Sequence, residues 1–207
     1  MKTMRNVILL LSVISVIAVT GCKKSTPTKT IADLKEGIVG ETTASAKYAA
    51  FAQKAREEGC DTIAKLFEAA SKAEAVHAAN HRKVLEALGE KMDDFTPQFE
   101  VGTTAENLQA AIKGESYEVD TMYVKFLEDA KAEKVEDAVK SFTWAYDTEK
   151  KHRDFYQKAL QAFNVNNEST LPYSYAVCPV CGNTYDEATV EEKCAFCLTP
   201  KEQFVVF

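Results

Sequence analysis

Histidine is nearly absent from this chain: His77, His81 and His152 are the only three in 207 residues. A site that uses imidazole therefore has very few places to be. An excess of positive charge is missing too, since 25 Lys and Arg face 31 Asp and Glu for a net charge of −6, and that balance speaks against a nucleic-acid partner. The third absence is a long apolar run. The uncharged stretch from Val7 to Val19 falls short of the ~20 residues needed to span a bilayer comfortably.

Lys2 and Arg5 precede that stretch, so residues 1–21 read as the basic and apolar regions of a secretory signal. Its removal takes the net charge from −6 to −8. The segment ends Val19-Thr20-Gly21-Cys22, which resembles the lipobox of bacterial lipoproteins. That resemblance implies an exported, membrane-anchored lipoprotein, acylated at Cys22 and facing the periplasm or cell envelope. The alternatives are an ordinary cleaved signal or an uncleaved anchor. Residues 22–29 are rich in Lys, Ser, Thr and Pro without an apolar period, the composition of a flexible tether.

From Thr30 the period becomes helical. Thr30 is the expected cap of a first helix ending near Glu58, with Ile31, Leu34, Ile38, Glu41, Tyr48 and Ala52 near one face and Gly59 as the stop. A second helix is expected over about Asp61–Leu88, stopped by Gly89. Residues 90–102 carry Pro97 and no usable period, long enough to cross the end of a bundle. A third helix, capped by Thr103 or Thr104, covers about Ala105–Ala132, and a fourth about Val135–Phe163. Two hairpins of long helices joined by one longer connection predict a four-helix bundle over residues 30–165.

The hairpins read as degenerate copies. Gly40-Glu41 and Gly114-Glu115 open related stretches, Tyr48 and Tyr123 follow about two turns on, and the next helices carry Glu74-x-x-His77 and Glu149-x-x-His152. Residues three apart share a helix face. Antiparallel packing that levels Glu41 with Glu74 and Glu115 with Glu149 would gather five carboxylates, Glu118 included, and two imidazoles into one core layer. Several buried like charges carry a large desolvation cost unless cations neutralise them. Ala44, Ala73, Ala78 and Ala145 allow close helix approach, and Phe67, Tyr48, Tyr123 and Trp144 are bulky enough to wall the site. Carboxylate-rich ligation with one histidine per metal suits iron or manganese better than zinc. A Glu from each of two helices and Glu-x-x-His from the other two is the ferritin-like pattern, to which Glu118 is surplus.

Residues 173–207 hold four cysteines, as Cys178-Pro-Val-Cys181-Gly and Cys194-Ala-Phe-Cys197. So short a segment cannot rest on a core alone. Two C-x-x-C turns suit a tetrahedral metal, zinc or a single iron, or a pair of disulfides in an oxidising compartment.

This order of parts resembles rubrerythrin, over nearly everything from Thr30 to Phe207. The resemblance implies an all-α ferritin-like four-helix bundle with a small C-terminal rubredoxin-like metal-binding β domain. It implies a di-iron centre of two Fe and one Fe in a tetrahedral four-cysteine site of Cys178, Cys181, Cys194 and Cys197. Glu74 and Glu149 would bridge the irons, with Glu41, Glu115, His77 and His152 terminal. Glu118 would exchange with His77 as the oxidation state changes, and Tyr48 and Tyr123 would hydrogen-bond near the centre. His81 matches no ligand and reads as an ordinary helix histidine, Cys60 as a bystander. Ala195 and Leu198 stand where the family commonly has Pro and Gly. The implied activity is reduction of hydrogen peroxide to water, fed by an unidentified electron-donor protein. A homodimer would set one subunit's sulfur site beside the other's di-iron site. Iron handling of the ferritin type, or a non-catalytic zinc-knuckle binding module, are the competing readings.

Cys22→Ala is expected to abolish partitioning of the expressed protein into detergent; retained partitioning would rule out a lipid at that residue.

Overall fold

The computed structural model describes residues 25–207; the leader and Cys22 lie outside them. Five helical segments and a three-stranded sheet follow: α1 (Thr28–Glu57), α2 (Asp61–Ala87), α3 (Thr104–Tyr117), α4 (Tyr123–Ala132), α5 (Glu136–Asn164), β1 (Tyr175–Val177), β2 (Thr184–Asp186) and β3 (Val205–Val206). A π-helical turn, Glu118–Met122, joins α3 to α4. The three together make one arm of a four-helix bundle. No helix among the described residues is long and apolar enough to cross a membrane.

Helix ends follow local chemistry. Gly59 and Gly89 adopt φ of +80° and +84°, the left-handed conformation that ends helices and costs glycine least. Thr103 caps α3 in a full capping box with Glu106. Thr30 is not a cap. The helix begins two residues earlier at Thr28, so Thr28 and Lys29 belong to α1 rather than the tether, and the Thr30 N–H is bound by Glu133 at 2.8 Å.

The connection between α2 and α3 runs the length of the bundle instead of crossing its end. At its start Glu90 pairs with Lys35 near the beginning of α1, and at its finish the Thr104 N–H bonds Glu58 at the far end of α1. Residues 88–103 at ~3.3 Å each reach roughly 50 Å, more than the ~40 Å of a 27-residue helix. As a result α3 and α4 run antiparallel to α1, and α5 antiparallel to α3 and α4.

Along every helix the apolar positions fall into two groups. Near one end Phe51, Ile63, Leu66, Phe67, Leu108 and Tyr156 form one cluster; towards the other, Leu34, Ile38, Leu85, Phe126 and Phe142 form a second. Glu41, Glu74, Glu115 and Glu149 lie between them in sequence on their four helices. Between α1 and α2, Ser45 and Ser71 each donate a hydroxyl to the other's carbonyl at 2.8 Å. The sheet, in order β2-β1-β3 and antiparallel throughout, follows α5 and folds back on α2 and α5.

Glu58 caps α3 from a different helix, and its bond to the Thr104 backbone, then to the Thr104 side chain and Lys54, lowers its pKa from 4.5 to about 2. A lowered carboxylate stabilises the fold above its unfolded pKa and loses that effect as pH falls through the folded value. Glu58→Ala is expected to cost about 1 kcal/mol at pH 7. In denaturant titrations the gap from wild type should close between pH ~4.5 and ~2.

Candidate metal centres

Six of the seven side chains singled out in the sequence meet in two overlapping clusters, both buried. Glu41, Glu74, His77 and Glu149 form one, and Glu74, Glu115, Glu149 and His152 the other, with the ligating atoms of each within 4.8 Å of one another. Glu74 and Glu149 belong to both. His77 Nδ1 lies 2.9 Å from Glu74 and 3.0 Å from Glu149, and His152 Nδ1 lies 3.2 Å from Glu74 and 2.8 Å from Glu149. Both Glu-x-x-His steps therefore turn Nδ1 inward and Nε2 outward.

Glu118 stands apart from both clusters, half-buried at the first residue of the π turn. That turn explains its surplus. The step from Glu115 to Tyr123 is longer by a single position than the matching step from Glu41 to Tyr48. The second copy holds one extra residue between its glutamate and its tyrosine, and the wider π turn absorbs it.

The electrostatics are those of a site built for cations. Burial, then the charges of Glu74 and Glu149, push Glu41 and Glu115 well above the carboxylate range. Glu118 is pushed up by burial and then by Glu41 and Glu115. Glu74 goes the other way: burial would raise it, but His152 and then His77 hold it down. His152 rises to about 10 because Glu74 and Glu149 outweigh its burial, and Glu149 likewise lifts His77 against burial. Glu41 Oε2, Glu74 Oε1, Glu115 Oε2, both Glu149 oxygens and His152 Nδ1 are buried with charged neighbours but no well-directed hydrogen bond. Buried polar atoms left unpaired are costly, and a pair of metal ions would satisfy this set. Six carboxylate and imidazole side chains, two of them shared, fit two oxygen-preferring ions.

Tyr48 Oη donates to Glu115 Oε1 at 2.7 Å and Tyr123 Oη donates to Glu41 Oε1. In each terminal glutamate one oxygen is thus held by a tyrosine while the other is unpaired. Phe67, Tyr48 and Tyr156 pack as tilted rings, with centroids 5.3–6.0 Å apart, beside this layer. Trp144 does not wall the bundle site; it packs against the cysteine cluster, because that face of α5 is covered by the tail. Tyr156 and His81 escaped the sequence reading as site neighbours. The signal was present, since they occupy matching positions of the two copies, four residues after His152 and His77. His81 is fully buried and bonded at both ring nitrogens.

The four tail cysteines are free thiols with all sulfurs within 4.8 Å, not two disulfides. The two knuckles share one turn: Gly182 N–H bonds Cys178 O and Leu198 N–H bonds Cys194 O, both at 3.0 Å. Gly182 sits at φ +81° and Leu198 at φ +62°, so the second knuckle holds a branched residue where glycine would be unstrained. Hydrogen bonds from Cys178 and then Cys181 hold Cys194 down as a thiolate, while Cys178 and then Cys194 push Cys181 up. A metal would hold all four ionised. Cys60 is a buried thiol of the apolar core.

Tail and bundle meet within one chain. A Cβ at Gly182 would fall 2.2 Å from His77 Nε2 and 3.1 Å from the Ala73 carbonyl, so glycine is needed there for space as well as for φ. Thr184 Oγ1 lies 2.9 Å from His152 Nε2, Lys151 Nζ bonds Asn183, and Asn80 bonds the Val180 carbonyl. The outward nitrogens of both site histidines face the first knuckle and the strand after it. The dimer expected to bring the sulfur site to a neighbour's bundle is not needed for this contact.

Removing metal is expected to make stability fall as pH rises. Glu41, Glu115, Glu118, His77 and His152 all have raised folded pKa values. Groups of that kind stabilise the fold below their unfolded pKa and lose the effect as pH rises through the folded one; lowered Glu74 opposes them only in acid. Calorimetry of metal-free protein should show Tm declining from about pH 5 to about pH 9. Loaded protein should gain on it over the same range, because ligands bind metal deprotonated.

Residues 33–160 match the Rubrerythrin family. Nigerythrin of Nitratidesulfovibrio vulgaris is 35% identical over 186 residues, covering 86% of each chain. Rubrerythrin-2 of Clostridium acetobutylicum is 31% identical over 84% of this chain and 94% of its own. A nigerythrin structure in a mixed-valence state superposes with a TM-score of 0.76 at 32% identity, covering 92% of this chain and 91% of that one. With the bundle, the paired Glu-x-x-His steps and the four-cysteine tail all present, the chain belongs to the rubrerythrin family.

Proposed function

We propose that the protein is a non-haem di-iron peroxidase that reduces hydrogen peroxide to water in oxidative-stress defence, with electrons entering through an iron in the four-cysteine site. The observation that carries this reading is the join between the two centres. The backbone that follows Cys181 lies directly on His77, and Thr184 bonds His152. A bundle that only stored iron has no use for a sulfur site seated on its histidines.

Converting one peroxide to two waters consumes two electrons and two protons. Two irons in the bundle supply the electron pair when bound, and one iron among four thiolates passes electrons singly. The rest falls to this chain's residues. Glu74 and Glu149 face both metal positions, while Glu41 with His77 and Glu115 with His152 each face one. Tyr48 and Tyr123 fix the terminal glutamates so that one oxygen of each is free to ligate. Glu118 is a spare carboxylate on an irregular turn, and the family resemblance pairs it with His77 as an exchanging ligand. Since Gly182 packs on that same ring, a movement of His77 would be felt in the first knuckle. Apolar clusters on both sides of the layer exclude water.

Electron entry by this route needs no second copy of the chain, and a homodimer rests on family resemblance alone. A lipid on Cys22 would hold the activity on the outer side of a membrane, with an electron-donor protein on the same side. The nigerythrin and rubrerythrin relatives support the class of protein.

Rapid mixing of the anaerobically reduced, iron-loaded protein tests the reading. Peroxide is expected to oxidise the ferrous bundle site at least about tenfold faster than dioxygen at equal concentration, a barrier difference of ~1.4 kcal/mol. Equal or slower oxidation by peroxide would favour iron handling. A colourless purified protein would favour a zinc knuckle.

A further inference from the structure

His81 is buried in an apolar setting of Phe142, Phe126 and Tyr123, with its ring 5.1 Å from that of Phe142. A histidine in such a place is tolerated only when its nitrogens are bonded. Both are. Nδ1 is 2.7 Å from Ser141 Oγ, and Nε2 is 3.0 Å from Tyr123 Oη, which donates to Glu41 Oε1. Tyr123 Oη donates to Glu41 Oε1, so with a neutral ring at His81 the remaining bonds take one direction. Tyr123 gives its hydroxyl proton to Glu41 and accepts from His81 Nε2–H. His81 Nδ1 then bears no proton and accepts the Ser141 hydroxyl. Ser141 lines a surface cleft of about 210 Å³ with Asn80, Lys83, Asp137, Lys140 and Trp144. Three donors therefore connect the cleft to the Glu41 carboxylate, each with its bonding hydrogen pointing inward.

The other half of the molecule shows that packing alone does not require this chain. Tyr156 stands in the second copy where the first has His81, and its buried hydroxyl has no partner. Leu66 stands in the first copy where the second has Ser141, and it is fully buried. Gly37 leaves room for the imidazole, since a Cβ there would fall 3.1 Å from His81 Cδ2; its counterpart in the second copy, Ala111, carries a methyl. Only the His81 side of the layer has serine, histidine and tyrosine in series.

We propose that Ser141, His81 and Tyr123 form a proton relay from the cleft to Glu41, supplying one of the two protons consumed when peroxide becomes water; this rests on the peroxidase reading above. For each passage one proton enters Ser141 Oγ from solvent, the serine proton moves to His81 Nδ1, the Nε2 proton moves to Tyr123 Oη, and the tyrosine proton moves to Glu41 Oε1. One proton enters and one leaves and no electron moves along the chain; each passage leaves the ring with its proton on Nδ1, so the imidazole must turn about its Cβ–Cγ bond and the two hydroxyls rotate before the next passage. His81 and Ser141 act through Tyr123 and Glu41 and do not touch substrate.

Two measurements test the relay. Neutron diffraction from crystals of the iron-loaded protein should place deuterium on His81 Nε2 and none on Nδ1; the reverse tautomer overturns the proposal whatever the oxidant of the enzyme proves to be. In rapid mixing with peroxide, His81→Ala and Ser141→Ala, checked for full iron content, should each slow oxidation of the ferrous site at least about tenfold. Imidazole should restore the His81→Ala rate, and 1-methylimidazole, which fills the cavity without a proton to pass between two nitrogens, should not. Equal rescue by the two compounds, or a Ser141→Ala rate equal to wild type, overturns the relay. Failure of wild type to prefer peroxide over dioxygen would instead remove the peroxidase reading and leave the neutron result to decide the chain.

Discussion

Charge without water sets the terms for this structure. Glu41, Glu74, Glu115, Glu149, His77 and His152 are all buried in one layer, and their carboxylates repel one another at distances where a low dielectric leaves repulsion strong. Helix packing cannot repay that desolvation by itself. Bound cations would neutralise the layer, and its neighbours are placed to hold the ligands rigid. Apolar clusters close the layer on both sides, Tyr48 and Tyr123 hold the terminal glutamates, and the tail covers the outward face of the histidines.

Each helical hairpin carries half of the layer, a lone glutamate followed by a Glu-x-x-His. The contacts within α1 and α2, and within α3, α4 and α5, join elements close in sequence, so each hairpin is a local unit of the fold. What couples them is the metal layer, assisted by clamps between the halves such as Glu58 on Thr104 and Glu133 on Thr30. The copies are not equal. One residue gained in the second half produces the π turn and with it Glu118, while the first half has His81 where the second has Tyr156. A duplicated scaffold has in this way acquired one side with a spare carboxylate and one side with a polar path to solvent.

Much of the fold was legible because its signals are local. Helical periodicity, the stops at Gly59 and Gly89, and the Glu-x-x-His steps depend only on neighbours in sequence, and the bounds of α2 and α5 fall within a residue of expectation. The layer itself followed from one further premise, antiparallel hairpins. What escaped depended on tertiary placement. Nothing in residues 88–103 says whether an extended segment turns across a bundle or runs along it. Trp144 looks like any aromatic on an amphipathic helix until the tail is laid over it. His81 reads as ordinary because its bond to Ser141 joins residues 60 apart in sequence. The seat of the tail on its own bundle was hidden for the same reason: Gly182 reads as part of a knuckle, and only the fold puts His77 against it.

Gly182 has a consequence beyond space and backbone angle. Electron tunnelling between two centres weakens exponentially with the gap that must be crossed outside covalent bonds. At this residue the chain leaves Cys181 and meets the His77 imidazole with no side chain between them. Any other residue would insert at least a methyl group at the narrowest point and lengthen the jump. On the proposed electron route a residue without a side chain would stand at the narrowest point, and a glycine that reads as a turn residue would act as the contact of a wire.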